Sequence, residues 1–150
     1  MNNNQKFCSF SIEDALYGID ICDVKEIKYD YSMTIVRHAP KEIQGLVNVR
    51  GLIYIILNMR VLLNIDTPQK KNSILILIKP HISQDPFGIK VDNHSGVLNV
   101  RNENIDYHKQ EKIDGQGVKQ NGLIKGVCRI ENKLMTILDS HKLLNAINWT

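Results

Sequence analysis

The chain has 150 residues, with 43% hydrophobic and 23% charged side chains, which is ordinary globular usage and excludes wholesale disorder. Nineteen Lys and Arg against 16 Asp and Glu give a formal charge of +3, too mild and too dispersed for a nucleic-acid footprint. No apolar run approaches the roughly 18 residues of a membrane span, and the amino terminus lacks the apolar stretch of a secretory signal.

The predicted elements are short and mostly strands. Residues 7–12 and 16–21 read as a hairpin around Glu13-Asp14. In its second arm Tyr17, Ile19 and Ile21 share one face, with Gly18 and Asp20 opposite. Residues 23–27 read as one helical turn or a bend, with apolar Val24 and Ile27 three apart. Residues 34–36 are β-branched or apolar and precede Ala39-Pro40, which predicts a short strand ending before the proline. Residues 45–49 and 52–57 form the strongest strand pair, joined by a tight Arg50-Gly51 turn in which Gly51 takes a positive φ. Asn58 is a helix cap, with Met59, Leu62 and Leu63 at helical spacing behind it. Residues 66–72 read as a polar connection. Residues 74–78 are apolar throughout and predict a fully buried strand. A loop over 79–86 leads to strands at 88–91 and 95–100.

Residues 102–122 are polar and glycine-containing, a connection unusually long for a small domain. Strands at 123–130 and 133–138 then meet at Glu131-Asn132. A carboxy-terminal helix starts near Asp139, with Leu143, Leu144 and Ile147 facing the core.

The two halves resemble each other. The stretch from Gly45 to Leu63 slides by about 81 positions onto the stretch from Gly126 to Leu144, matching Gly, Ile-Leu and Leu-Leu and aligning Asn58 with Asp139 at the helix cap. Tyr17-Gly-Ile-Asp-Ile21 likewise matches Phe87-Gly-Ile-Lys-Val91. Two small β-units result, each of about five strands and a short helix, and five short strands close into a small barrel without exposed edges.

Catalytic constellations are missing from the sequence. The five histidines show no metal-binding spacing, and no nucleophile elbow or phosphate-binding glycine loop occurs. The three cysteines, Cys8, Cys22 and Cys128, form no Cys-x-x-Cys pair and read as reduced thiols of a cytoplasmic protein. Cys8 and Cys128 sit among apolar strand residues and are inert by that reading, while the acids beside Cys22 disfavour its thiolate. Asp92 with Asp20 or Asp23 is the one conceivable carboxylate pair, and no spacing brings them together. No enzyme activity and no cofactor or metal is expected. Tyr17 and Phe87 read as core residues rather than base-stacking platforms.

Three motifs carry a resemblance: Val24-Lys-Glu-Ile27, Gly45-Leu-Val-Asn-Val-Arg-Gly51 and Gly88-Ile-Lys-Val-Asp92, closed by Ile137-Leu-Asp-Ser-His-Lys-Leu-Leu144. In this order they resemble the CheW-like domain family, from about residue 7 to residue 144. The resemblance implies a mainly β fold of two intertwined five-stranded SH3-like β-barrel subdomains, with short helices and a C-terminal helix. It implies one such domain over residues 1–150, with exchange of strands between the halves left open. The implied role is a non-enzymatic cytoplasmic adaptor, coupling the cytoplasmic tip of methyl-accepting chemoreceptors to the regulatory domain of the histidine kinase CheA. Neither nucleic acid nor direct membrane insertion is expected. The partner-binding residues it implies are Val24, Glu26, Ile27, Gly45, Asn48 and Arg50. Glu26 and Arg50 match the family's acid and base, either as a salt bridge holding the hairpin or as the rim of a docking surface. The chain departs from the family pattern at Ile55, where the family has proline, at Asn58 for aspartate and at Lys90 for an apolar residue, and its second half has Glu131-Asn132 where the first has the hairpin arginine. The alternatives are a scaffold of the same family serving a non-chemotaxis kinase pathway, and a small-barrel module binding nucleic acid or a ligand.

Overall fold

The computed structural model describes residues 3–82, 85–107 and 122–147. Twelve strands among them form two six-stranded sheets. The strands are β1 (Asn4–Ile12), β2 (Ala15–Asp20), β3 (Val24–Lys28), β4 (Met33–Thr34), β5 (Ile43–Val49), β6 (Leu52–Leu57), β7 (Ile74–Ile78), β8 (Phe87–Val91), β9 (Asn93–Arg101), β10 (Ile105–Tyr107), β11 (Ile124–Ile130) and β12 (Lys133–Leu138). Single-turn helices α1 (Met59–Leu62) and α2 (Ser140–Leu143) follow β6 and β12.

The first sheet runs β3-β7-β8-β6-β5-β4 and the second β9-β1-β2-β12-β11-β10. Read side by side, the two orders match position for position. Each has five longer strands and one short edge strand, β4 or β10. Each also contains one parallel pair, β6 with β8 and β12 with β2. The amino-terminal hairpin β1–β2 therefore lies in the sheet built by β9–β12, while β7–β8 lies in the sheet built by β3–β6. The halves have exchanged hairpins, and the mainly β, two-unit expectation stands in this intertwined form.

Three apolar cores follow from strand alternation. Leu75 and Leu77 of β7 join Val47, Val49, Tyr54 and Ile56 on one face of the first sheet. Phe7, Val100, Ile105, Cys128, Met135 and Ile137 form the counterpart on the second. The alternate residues Ile74, Ile76 and Ile78 turn to a larger shared core, where they meet Cys8, Phe10, Ile12, Tyr17, Ile19, Phe87, Ile89 and Leu143. Strand β7 is buried along its whole length because it feeds two cores at once. Phe10 and Tyr17 stack at 5.8 Å between ring centroids, so Tyr17 and Phe87 are core residues as expected.

Several local expectations are corrected. Residues 24–27 are strand, not a helical turn; the only helical backbone there is a 3-10 turn at Ile21–Asp23. The register of β3 against β7 slips between Val24 and Glu26, leaving Lys25 as a bulge. That extra residue turns Val24 and Ile27 to the same side although they are three apart, and both pack against the shared core. Met33–Thr34 replaces the expected strand at 34–36, since Ile35 and Val36 leave the sheet and Ile35 is 79% exposed. The expected polar connection at 102–122 begins with a 3-10 turn (Asn102–Asn104) and β10; its remainder, 108–121, lies outside the described residues. The C-terminal helix is one α-turn continued by a 3-10 turn, Leu144–Ala146.

Candidate functional site

The β5–β6 hairpin and the edge strand β3 build the site. Arg50 and Gly51 both adopt positive φ, 52° and 87°, the mirror-type turn that matches strand twist. Asn48 closes the turn, its side-chain oxygen accepting the Gly51 N–H at 2.9 Å. Gly45 serves packing. A Cβ there would stand 2.6 Å from Met33 Cγ and 2.7 Å from the Thr34 carbonyl oxygen, so only glycine lets β4 lie against β5. A Cβ at the repeat-equivalent Gly126 would likewise stand 2.6 Å from the Asp106 carbonyl oxygen of β10.

The turn holds the Arg50 guanidinium over β3. It donates two parallel hydrogen bonds to Glu26, at 2.9 and 3.0 Å. The Arg50 side chain is 67% exposed and that of Glu26 22%. The Arg50 hydrogen bonds hold the Glu26 carboxyl below its usual range against a small opposing effect of burial, and Glu26 in turn raises the Arg50 guanidinium. Lys28 approaches Glu26 at 4.0 Å, and the Lys25 ammonium lies 6.0 Å from the centroid of the buried Tyr54 ring. Three cations thus surround one carboxylate. Leu52 and Ile53, next along the hairpin, are exposed, as is Tyr29 just past β3. This is a cationic, partly apolar rim in which the one carboxylate is held by Arg50.

The six sequence-derived residues therefore divide by position. Glu26 and Arg50 meet at the surface. Asn48 and Gly45 shape the hairpin that presents Arg50. Val24 and Ile27 are half-buried on the opposite side of β3, against the shared core.

Of the departures from the family pattern, Asn58 and Lys90 are accommodated inside the molecule. Asn58 caps α1 through the Val61 N–H and also accepts a hydrogen bond from Gln69 at 3.0 Å. Lys90 is half-buried in β8, and burial followed by the nearby Arg60 holds its ammonium below the usual value.

Sequence reasoning missed a second ionic cluster. Arg60 of α1, only 5% exposed, donates to both carboxylate oxygens of Asp92 at 3.0 Å and to Glu13 at 2.9 Å. The Glu13 N–H donates to Asp92 at 2.7 Å. Burial alone would raise the Asp92 carboxyl; the Arg60 and Glu13 hydrogen bonds outweigh it and hold the group below its ordinary value. The conceivable pairing of Asp92 with Asp20 or Asp23 is thus replaced by an arginine salt bridge. The signal available in sequence was the arginine two residues after the Asn58 cap, and nothing local named its partners.

The profile of the CheW-like domain matches residues 6–148. The chemotaxis protein CheW of Klebsiella aerogenes is 27% identical over 143 residues, covering 95% of this chain and 82% of that protein. That of Treponema pallidum is 28% identical over 149 residues, covering 96% and 85%. The crystal structure of the scaffolding protein TtCheW from Thermoanaerobacter tengcongensis superimposes with a TM-score of 0.79 at 27% identity, over 93% of this chain and 91% of that one. With the profile spanning nearly its whole length and the same fold in a solved relative, the chain belongs to the CheW-like domain family.

Proposed function

We propose that this chain is a non-enzymatic cytoplasmic adaptor that couples chemoreceptor tips to the histidine kinase CheA in bacterial chemotaxis. The observation that carries the reading is the family match over residues 6–148, shared with relatives named for chemotaxis and for scaffolding. The site is compatible with it: a preset rim of Lys25, Glu26, Lys28 and Arg50 beside exposed Leu52 and Ile53 suits protein docking, where charge sets orientation and apolar area supplies affinity. In this reading one sheet unit pairs with the kinase's regulatory domain, which itself resembles this fold. Receptor helices lie between the two units. Glu26 and Arg50 orient the partner, and Gly45 and Asn48 act through the hairpin they shape. Val24 and Ile27 set the position of β3 and offer their remaining exposed area. Receptor arrays reuse many weak contacts, so micromolar affinity, about −8 kcal/mol, suffices.

Titration calorimetry against the regulatory domain of CheA and a receptor-tip fragment from the same organism tests the proposal. Wild-type protein is expected to bind both, and Arg50→Ala, still folded, to bind at least one more weakly. Absence of wild-type binding to either refutes chemotaxis coupling; a salt-dependent shift with single-stranded nucleic acid would then favour a different module.

A further inference from the structure

The chain crosses between its two sheets at β2–β3 and at β8–β9. The first crossing is the 3-10 turn at Ile21–Asp23. The second is the single residue Asp92. Arg60 reaches this crossing from α1 of the first unit, and Glu13 from the β1–β2 turn in the second sheet. All three charged groups therefore come from different places along the joint, and two backbone hydrogen bonds fasten it further, Asp92 N–H to the Ser11 carbonyl and Glu13 N–H to the Asp92 carboxylate.

Glu13 takes a positive φ of 55° as the first residue of the two-residue β1–β2 turn, as Arg50 and Glu131 do in theirs, and that turn carries its carboxylate to Arg60. Across the repeat, Arg60 corresponds to His141, which is exposed in α2. The pseudo-symmetry is broken here: α1 carries a buried arginine where α2 carries an exposed histidine. The shared core joins the two sheets through apolar contacts, whose driving force carries no directional preference of its own. A bidentate arginine–carboxylate pair with a third acceptor is directional.

We infer that Arg60, with Asp92 and Glu13, is a positioning clamp that sets the relative placement of the two sheet units, and so selects for a partner that touches both. The inference deepens the adaptor reading and rests on it for the identity of that partner. A partner contacting one unit does not depend on the clamp.

The test uses the full chain with Cys22→Ser and nitroxide labels at Ile53→Cys and Leu134→Cys, one exposed position on each unit. Two clamp variants are compared: Glu13→Asn, which keeps a residue tolerant of positive φ, and Arg60→Met with Asp92→Leu, which replaces the ion pair by apolar groups. Circular dichroism checks folding. Pulsed dipolar spectroscopy is expected to show the distance distribution shifted or broadened by about 2 Å in both variants. Titrated against the same clamp variants without labels or cysteine substitutions, the receptor-tip fragment is expected to bind about tenfold more weakly, while the CheA regulatory domain changes less than about twofold. Folded variants with the wild-type distance distribution overturn the clamp, as does a broadened distribution with unchanged receptor affinity. If wild-type protein binds no receptor tip, the adaptor reading falls, and the distance measurement alone decides whether the clamp positions the units.

Discussion

Gly45 gives a sharp quantitative prediction. In Gly45→Ala the new methyl would stand 2.6 Å from Met33 Cγ, 2.7 Å from Met33 Sδ and 2.7 Å from the Thr34 carbonyl oxygen. The methionine can swing away, but the carbonyl belongs to the β4 backbone. That strand is two residues long and hydrogen-bonded on one side only, so it yields before β5 does. Forcing a methyl into such a contact costs about 1–3 kcal/mol. Gly126→Ala meets only backbone, at 2.6, 3.1 and 3.3 Å, and should cost at least as much. Gly51→Ala is the control, with nothing within 4 Å but a φ of +87°. Left-handed strain of about 1–2 kcal/mol, offset by about 0.4–1 kcal/mol from reduced unfolded-state entropy, leaves it near 1 kcal/mol or below. Urea unfolding of the three variants gives the order directly, and Tm falls by about 2–4 °C per kcal/mol for a chain this size. Amide exchange should accelerate at Leu46 and Val47, which face β4, and stay slow in β7. Gly45→Ala and Gly126→Ala at or below the cost of Gly51→Ala would refute the close-approach argument.

Arg60→Ala leaves Asp92 buried without its partner and should cost about 3–5 kcal/mol in chemical unfolding, whereas Arg50→Ala, at an exposed pair, should barely move Tm. Asp92, Glu13 and Glu26 all have carboxyls held below their ordinary values, so the stability they confer is full above those values and drains as pH falls below about 4. An acid titration followed by circular dichroism should show this loss, and it should be smaller when Arg60→Met and Asp92→Leu are combined. Ile76→Ala, in the shared core, should lose about 2–5 kcal/mol in a single cooperative transition, since that core belongs to both sheets. A thiol reagent should modify Cys22 alone in the native protein and all three cysteines after denaturation, because burial pushes the Cys8 thiol to about 11 and raises that of Cys128.

What the sequence made legible was whatever is decided locally. The β5–β6 hairpin follows from Arg50-Gly51 between alternating residues, and α1 from the Asn58 cap, whose side chain does accept the Val61 N–H. The repeat was visible because hairpin, cap and leucine pair recur in order. Strand β3 was hidden by its own bulge: with Lys25 inserted, Val24 and Ile27 imitate helical spacing while lying on a strand. The reciprocal hairpin exchange depends on parallel pairing of Leu16 with Met135, which no local pattern encodes. The Glu26–Arg50 pair was nameable from its motifs, although its bidentate geometry was not. The Arg60 cluster escaped because its partners lie 32 and 47 positions away on other elements.

The exchanged hairpins also set a timetable for biosynthesis. Strand β2 needs β12, which leaves the ribosome roughly 120 residues later, a delay of about 6–24 s at typical synthesis rates. During that interval β1 can pair with β2 and, once it is made, with β9, while the strands of the first sheet, β3–β8, are all made by residue 91. The second sheet is the one that waits, because β2 is joined to β11 and β10 only through β12. Completion of the second sheet is therefore possible only once β12 has been made and is dominated by distant contacts, the regime in which small β proteins fold slowly. A chain truncated before β12 should be a substrate for chaperones and proteases rather than a stable half-adaptor.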